Sequence, residues 1–247
     1  MNAIRLTMWA DEPLILAKEK GVEVKSALDF NKTVQGAIYS IWREKYPAVH
    51  DFGYSYKGKP FRLFTFSPLL GDYTKSGERI SFQGAVSLEI RSVSFELIDE
   101  LAHYFIKHKS LQLWKHRVPV VDICSTDRII LASDVRIRTI SPITLHGPNE
   151  KYYKPSEEQF FTRIASNLKN KLGAARRENN VSFNIFPDYD TLKEAKTRYG
   201  REDVTAYYGD FMIEADPSTI EFLYYTGLGD RNPQGFGMFE VLPCEQN

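Results

Sequence analysis

The chain has 247 residues, 43% hydrophobic and 26% charged, with 32 basic residues balanced against 32 acidic ones. This composition is that of an ordinary globular protein and implies no disorder, and the zero formal charge argues mildly against a protein that coats nucleic acid non-specifically. No apolar run reaches the length of a membrane span, and the opening MNAIRLTMWADEPL carries charge too early for a signal peptide, so a cytoplasmic protein with no membrane partner is expected.

In chain order, Ala3 to Met8 alternates as a strand, and apolar residues at 34, 37, 38, 41 and 42 give a helix over Asn31 to Lys45. Phe61 to Phe66 alternates again, and Ile80 to Arg91 is strand-like around a glycine. Phe95 to Lys107 is a second amphipathic helix, with Phe95, Leu97, Ile98, Leu101, Tyr104 and Phe105 on its apolar face. Leu111 to Trp114 and Arg117 to Cys124 would close a sheet. The order β-α-β-β-α-β is ferredoxin-like.

The second half repeats this grammar. Asp134 to Leu145 reads as a strand broken at Ser141-Pro142, and Ser156 to Leu172 as a helix with Ser156 as N-cap and Glu157 and Glu158 in the first turn. Val204 to Glu214 supplies strand material. A helix over Pro217 to Tyr225, entered through Asp216 or Pro217, and a final strand over Met238 to Leu242 complete the chain. The expected fold class is α+β: two tandem ferredoxin-like (RRM-like) domains over residues 1–125 and 134–247, with a single larger α+β domain as the alternative.

Charge is local rather than global. Residues 151–180 carry a basic surplus of four, with Lys169, Lys171, Arg176 and Arg177 forming a stripe on and after the predicted helix, and residues 57–79 carry a surplus of three. Cys124 and Cys244 lack a CxxC partner, so neither zinc nor a disulfide framework is suggested. The five histidines show no metal-ligand spacing, and no Gly-x-Ser-x-Gly elbow occurs.

Between the last helix and the last strand, residues 227–237 read GLGDRNPQGFG, with Gly227, Gly229, Gly235 and Gly237 around Asp230, Arg231, Asn232 and Gln234. The spacing fits neither the dinucleotide fingerprint nor the Walker loop. Two readings stay open: a main chain shaped to lie against a ligand, a phosphate backbone being the natural candidate, or a tight helix-to-strand connection. Arg231 and Asn232 could donate to phosphates or fix the loop internally.

A C-terminal Gly-x-Gly, five mixed residues and Gly-aromatic-Gly before the last strand resembles the RAMP superfamily of CRISPR-associated RNA-binding proteins. Gln35-Gly36-Ala37-Ile38-Tyr39, then Pro47-Ala48-Val49-His50-Asp51, then Lys59-Pro60-Phe61-Arg62 running on to Pro68, and Ser141-Pro142-Ile143, resemble the Cas-six family of endoribonucleases that cut CRISPR repeat RNA. The resemblance implies metal-independent cleavage without a cofactor, in which a ribose 2′-oxygen attacks the adjacent phosphate and leaves a 2′,3′-cyclic phosphate and a 5′-hydroxyl. It implies His50, Tyr39 and Arg62 as catalytic residues. It also implies a precursor CRISPR repeat transcript as partner, with other effector-complex proteins or a second copy of the chain as further candidates.

His50 suits proton transfer because imidazole titrates near neutrality. Tyr39 is a poor free base and suits an orienting role. Arg62 departs from the lysine common at this place; it stays protonated, so it can clamp phosphate but cannot act as a general acid. Lys59 is the nearby alternative cation. The resemblance also implies that the glycine loop packs against the substrate cleft. The RNA-binding candidates are therefore Lys59, Lys169, Lys171, Arg176, Arg177, Arg231, Asn232 and the four loop glycines. A non-catalytic RAMP-type scaffold is the alternative function, and a metabolite-binding ferredoxin-like domain a more distant one.

Overall fold

The structure, a computed structural model, describes residues 1–45, 53–148 and 151–243, with the backbone alone for Asp11 and Glu44. The N-terminal part contains eight strands among the described residues: β1 (Ala3–Ala17), β2 (Tyr54–Tyr56), β3 (Lys59–Phe61), β4 (Phe64–Phe66), β5 (Tyr73–Ser76), β6 (Arg79–Ser92), β7 (Ser110–Leu113) and β8 (His116–Ser125). Its main sheet runs β4-β6-β1-β8-β7, with β5 also paired to β6. Read through its four principal strands, this is second-third-first-fourth, the ferredoxin-like order.

Helix α1 (Asn31–Lys45) buries Val34, Ala37, Ile38, Ile41 and Trp42, the positions its periodicity selects. Trp42 also donates its indole N–H to the Leu97 carbonyl at 2.8 Å, tying α1 to α2 (Phe95–His108). Helix α2 is capped by the Ser94 hydroxyl and ends at Lys109 in the left-handed region. The first strand is longer than its alternation over Ala3 to Met8 suggests. A register shift between Ala10 and Leu14 absorbs the charged, proline-containing stretch, after which Leu14 and Leu16 return to the core opposite Phe82 and Ile80. The stretch read as one strand over Phe61 to Phe66 is split between β3 and β4 at Arg62-Leu63.

The second sheet repeats the same order. Its strands β9 (Asp134–Thr139), β10 (Phe183–Pro187), β13 (Asp210–Ala215) and β14 (Phe239–Val241) lie as β10-β13-β9-β14, while β11 (Lys193–Tyr199) and β12 (Glu202–Tyr208) form a separate hairpin. The sheet packs on α3 (Glu158–Ala174) and α4 (Pro217–Thr226) through a core that includes Phe160, Ile164, Leu168, Phe211, Ile213 and Phe222. The helix expected from Ser156 starts at Glu158 with Glu157 at the N-cap, so Ser156 is not the cap.

The strand expected over Val204 to Glu214 breaks at Gly209, whose N–H and carbonyl are both held by Thr139, sending β12 to the hairpin and β13 to the sheet. Strands β10 and β11 were not expected; the polar KEAKTRY of β11 has no apolar alternation to mark it. The fold is thus two ferredoxin-like units in tandem. Strand β8 ends at Ser125 and β9 begins at Asp134, which supports the division at residues 125–133 as a proposal.

Candidate RNA-cleavage cleft

Helix α1 presents Gln35 and Tyr39 one turn apart toward the C-terminal half. Together with Pro60, Phe61 and Arg62 from the β3–β4 junction, Asn167 and Lys171 from α3, and residues 229–234 of the glycine loop, they line a cleft of about 450 Å³. Tyr39 and Arg62 therefore share one cavity with a loop from the other half of the chain. Their proposed partner His50 lies outside the described residues.

Tyr39 is held by ring-edge contacts to Trp42 and Phe64, with centroids 5.9 and 5.7 Å away. Burial pushes its hydroxyl up to about 12, against the opposing charge of Arg62, so at neutral pH it is a hydrogen-bond donor and not a base. Lys59 is exposed on β3 and is not among the residues lining the cleft.

The glycine loop is closed on the protein itself. The Asn232 side-chain amide donates to the carbonyls of Leu228 and Phe236 at 2.8 and 2.9 Å, and its oxygen accepts from Lys171 Nζ, which also donates to the Gly227 carbonyl at 2.9 Å. Asn31 at the start of α1 donates to the carbonyls of Gln234 and Gly235, and Gln35 donates to that of Pro233. At Gly237, φ is +73° and a Cβ would run into the Leu228 carbonyl oxygen. At Gly235, φ is +81° and a Cβ would sit 2.7 Å from the Phe66 ring. Gly235 is required by the close approach of the loop to the N-terminal half and Gly237 by the approach of the loop to itself, and the loop meets the cleft through residues 229–234.

Several candidate RNA contacts need correction. Asn232 is buried with both amide bonds and its oxygen engaged, so it fixes the loop internally and is not an available phosphate donor. Lys171 is also buried and leaves the expected basic stripe. Of the remainder, Lys169 is exposed, Arg176 lies beyond α3 in the left-handed region, and Arg177 covers the Phe222 ring at 5.1 Å. None of these three lines the cleft. Arg231 does, with its guanidinium 2.7 Å from exposed Glu202 and 3.2 Å from the Gln234 side-chain oxygen. Gly229 is the one predicted loop glycine on the cleft wall.

Sequence reasoning did not assign roles to Asn167 or Asp230. Asn167 donates to Asp230 at 2.8 Å and the His146 N–H donates to the same carboxylate at 3.0 Å, clasping the loop to α3 and to the segment after β9. A signal was present for Lys171: residues 164, 168, 171 and 172 fall on one helical face, which marks position 171 as inward despite its charge.

Burial pushes the Lys171 amine down to about 7, with Asp230 pulling the other way. The unfolded chain then binds more protons than the folded one between about pH 7 and the ordinary lysine value of 10.5, so this group's contribution to stability grows as pH rises through that window. Lys171→Met is expected to lower stability by about 1–3 kcal/mol for each buried acceptor it strands. Urea unfolding at a series of pH values should show the gap to wild type widening above neutrality, and a pH-independent gap would contradict a neutral buried amine.

Residues 126–241 match the family model described as CRISPR associated protein Cas6, C-terminal. Among solved structures, a CRISPR associated protein Cas6 shares 21% identity over 98% of this chain and 99% of its own, with a TM-score of 0.75. A Cas6-related protein from Pyrococcus furiosus shares 16% identity over 99% of both chains, with a TM-score of 0.79. A RAMP protein described as binding different RNA substrates shares 18% identity over 98% of this chain and 100% of its own, with a TM-score of 0.76. No curated protein matches the chain. Residues 126–241, close to half of the chain, are thus a Cas6 C-terminal domain, and the whole chain has the tandem ferredoxin-like fold of the solved Cas6 structures.

Proposed function

We propose that the protein processes CRISPR repeat RNA as a metal-independent endoribonuclease, cleaving precursor transcripts by 2′-oxygen attack. One observation carries this reading: Tyr39 and Arg62 of the N-terminal half line the same cleft as the glycine loop of the C-terminal half. The Cas6 C-terminal domain supports RNA as the substrate class, and the similar RAMP protein described as binding different RNA substrates agrees with it.

The chemistry needs a proton acceptor for the 2′-hydroxyl, a proton donor for the departing 5′-oxygen, and positive charge at the phosphorane. His50 is assigned the proton transfers. The permanently charged Arg62 holds the non-bridging phosphate oxygens, and the protonated Tyr39 hydroxyl orients the reacting group by donating a hydrogen bond. Arg231 adds a second cation to the cleft lining, available to phosphate in exchange for its exposed partner Glu202.

Incubation with repeat RNA in EDTA, followed by end-group analysis, tests the reading. The expected products carry 2′,3′-cyclic phosphate and 5′-hydroxyl ends at a rate little changed by the chelator. Products with 3′-hydroxyl ends that appear only with a divalent ion would refute the mechanism. Tight binding with no cleavage would favour the scaffold reading.

A further inference from the structure

Beside the cleft, three cations from separate elements converge. Lys18 follows β1, Lys32 lies in the first turn of α1 and Arg198 lies on β11. Lys18 Nζ donates to the Arg198 carbonyl at 3.3 Å and lies over the Phe30 ring at 5.4 Å. Lys32 Nζ lies against Gly200, 3.3 Å from where a Cβ would project. Burial lowers the Lys18 pKa, Arg198 and Lys32 lower it further by like-charge repulsion, and Asp29 and Glu19 oppose the shift. Concentrating positive charge at a half-buried ammonium is unfavourable unless an anion answers it.

Asp29 offsets part of this charge, but no carboxylate contacts the Lys18 ammonium among the described residues. Both Asp29 oxygens are taken: one accepts from the Thr197 hydroxyl at 2.7 Å and the Arg198 N–H at 3.2 Å, the other from the N–H groups of Lys25 and Ser26. Asp203 stands 3.7 Å from the Arg198 guanidinium but is 83% exposed. Among the described residues Lys32 has no carboxylate partner within ion-pair distance. The cluster is also continuous with the cleft: Tyr199, next to Arg198, donates its hydroxyl to Gln35, and Gln35 lies one turn after Lys32 and lines the cleft.

We propose that Lys18, Lys32 and Arg198 form a phosphodiester-binding extension of the cleft, holding the RNA backbone at nucleotides adjoining those between Tyr39 and Arg231. The extension rests on the RNA-processing reading and adds a second anchoring point to it. It grips strand length rather than base identity, because a phosphate contact carries no sequence information.

The test uses the full chain and a repeat RNA bearing 2′-O-methyl groups, which cannot undergo 2′-oxygen attack. Affinity is measured against salt for wild type, Lys32→Glu, and Lys18→Met combined with Lys32→Ala, after thermal melts establish that each variant is folded. The double variant is expected to bind more weakly and to lose about 0.7 of log–log salt slope per phosphate contact, or about 1.4 for two. Trimming the RNA from either end should show a length below which wild type and double variant bind alike. Lys32→Glu, at an exposed position, should weaken long-RNA binding on its own. Unchanged affinity and slope in both variants, with wild type binding RNA, would overturn the extension and leave the main reading intact. A wild type that binds no repeat RNA would overturn both.

Discussion

His50→Ala is expected to slow cleavage of repeat RNA by about 10²–10⁴-fold, the usual contribution of general acid–base catalysis, while leaving RNA affinity nearly intact. The reason lies in what the described cleft lacks. Tyr39 has its hydroxyl pushed up to about 12 and stays protonated, and Arg62 cannot release its proton at any working pH. The other lining group brought near neutrality is Lys171, at about 7, and its amine donates to Gly227 and Asn232. Proton transfer therefore falls to the imidazole, whose ordinary pKa near 6.5 suits it to both roles.

Single-turnover cleavage across pH, with affinity measured in parallel, decides the matter. Wild-type rates in the His50 variant would remove it from the mechanism. If a folded Lys171→Met variant instead lost cleavage and the pH dependence with it, the proton-transfer role would belong to Lys171.

Arg91→Ala is expected to cost about 3–5 kcal/mol of stability, the scale for breaking a buried ion pair by removing one member. Arg91 on β6 is 2% exposed and meets Glu89 at 2.6 Å. It also donates to the carbonyl of Phe239 on β14 at 2.7 Å and stacks over the Tyr224 ring of α4 at 3.7 Å, joining the N-terminal sheet to the C-terminal core. Removing it leaves the Glu89 carboxylate, 1% exposed, with only half-exposed Arg5 and the Thr126 hydroxyl.

Burial pushes the Glu89 pKa up, but Arg91 and Arg5 outweigh it and hold the carboxyl below its usual value. A depressed carboxyl contributes stability that is present above its unfolded pKa of 4.5 and lost as pH falls through the folded value, so the contribution of the pair disappears on acidification. Urea unfolding should place Arg91→Ala well below the double variant Arg91→Met/Glu89→Leu, because replacing both partners with apolar groups leaves no uncompensated charge. Equal losses in the two would show that packing, not charge pairing, sets the contribution of this site.

Local patterns carried much of this architecture. The apolar spacing of α1 and α2 matches the faces they bury, since helical periodicity records which side of an element meets a core. Strand β11 escaped notice because its residues pack as a hairpin on the N-terminal half through Thr197 and Asp29, a long-range contact that leaves no alternation behind. Lys171 shows the two signals in conflict: its spacing pointed inward and its charge outward. Burial was favourable because Gly227 and Asn232 supply acceptors for its amine.

By itself, then, the sequence determined the strand and helix order of the first ferredoxin-like unit, that of the second apart from β10 and β11, and a glycine-rich main chain at residues 227–237. Its ordered short motifs also pointed to the family whose C-terminal model matches residues 126–241. Tertiary structure decided what that loop touches. Its glycines make room for Leu228, Asn31 and Phe66 of the same chain, and its polar middle completes a cleft with Tyr39 and Arg62. Periodicity encodes the burial of a face, but the pairing of faces from opposite ends of a chain is settled only when the two halves pack. The same packing drew Lys171 out of the solvent and brought Lys18, Lys32 and Arg198 together beside the cleft.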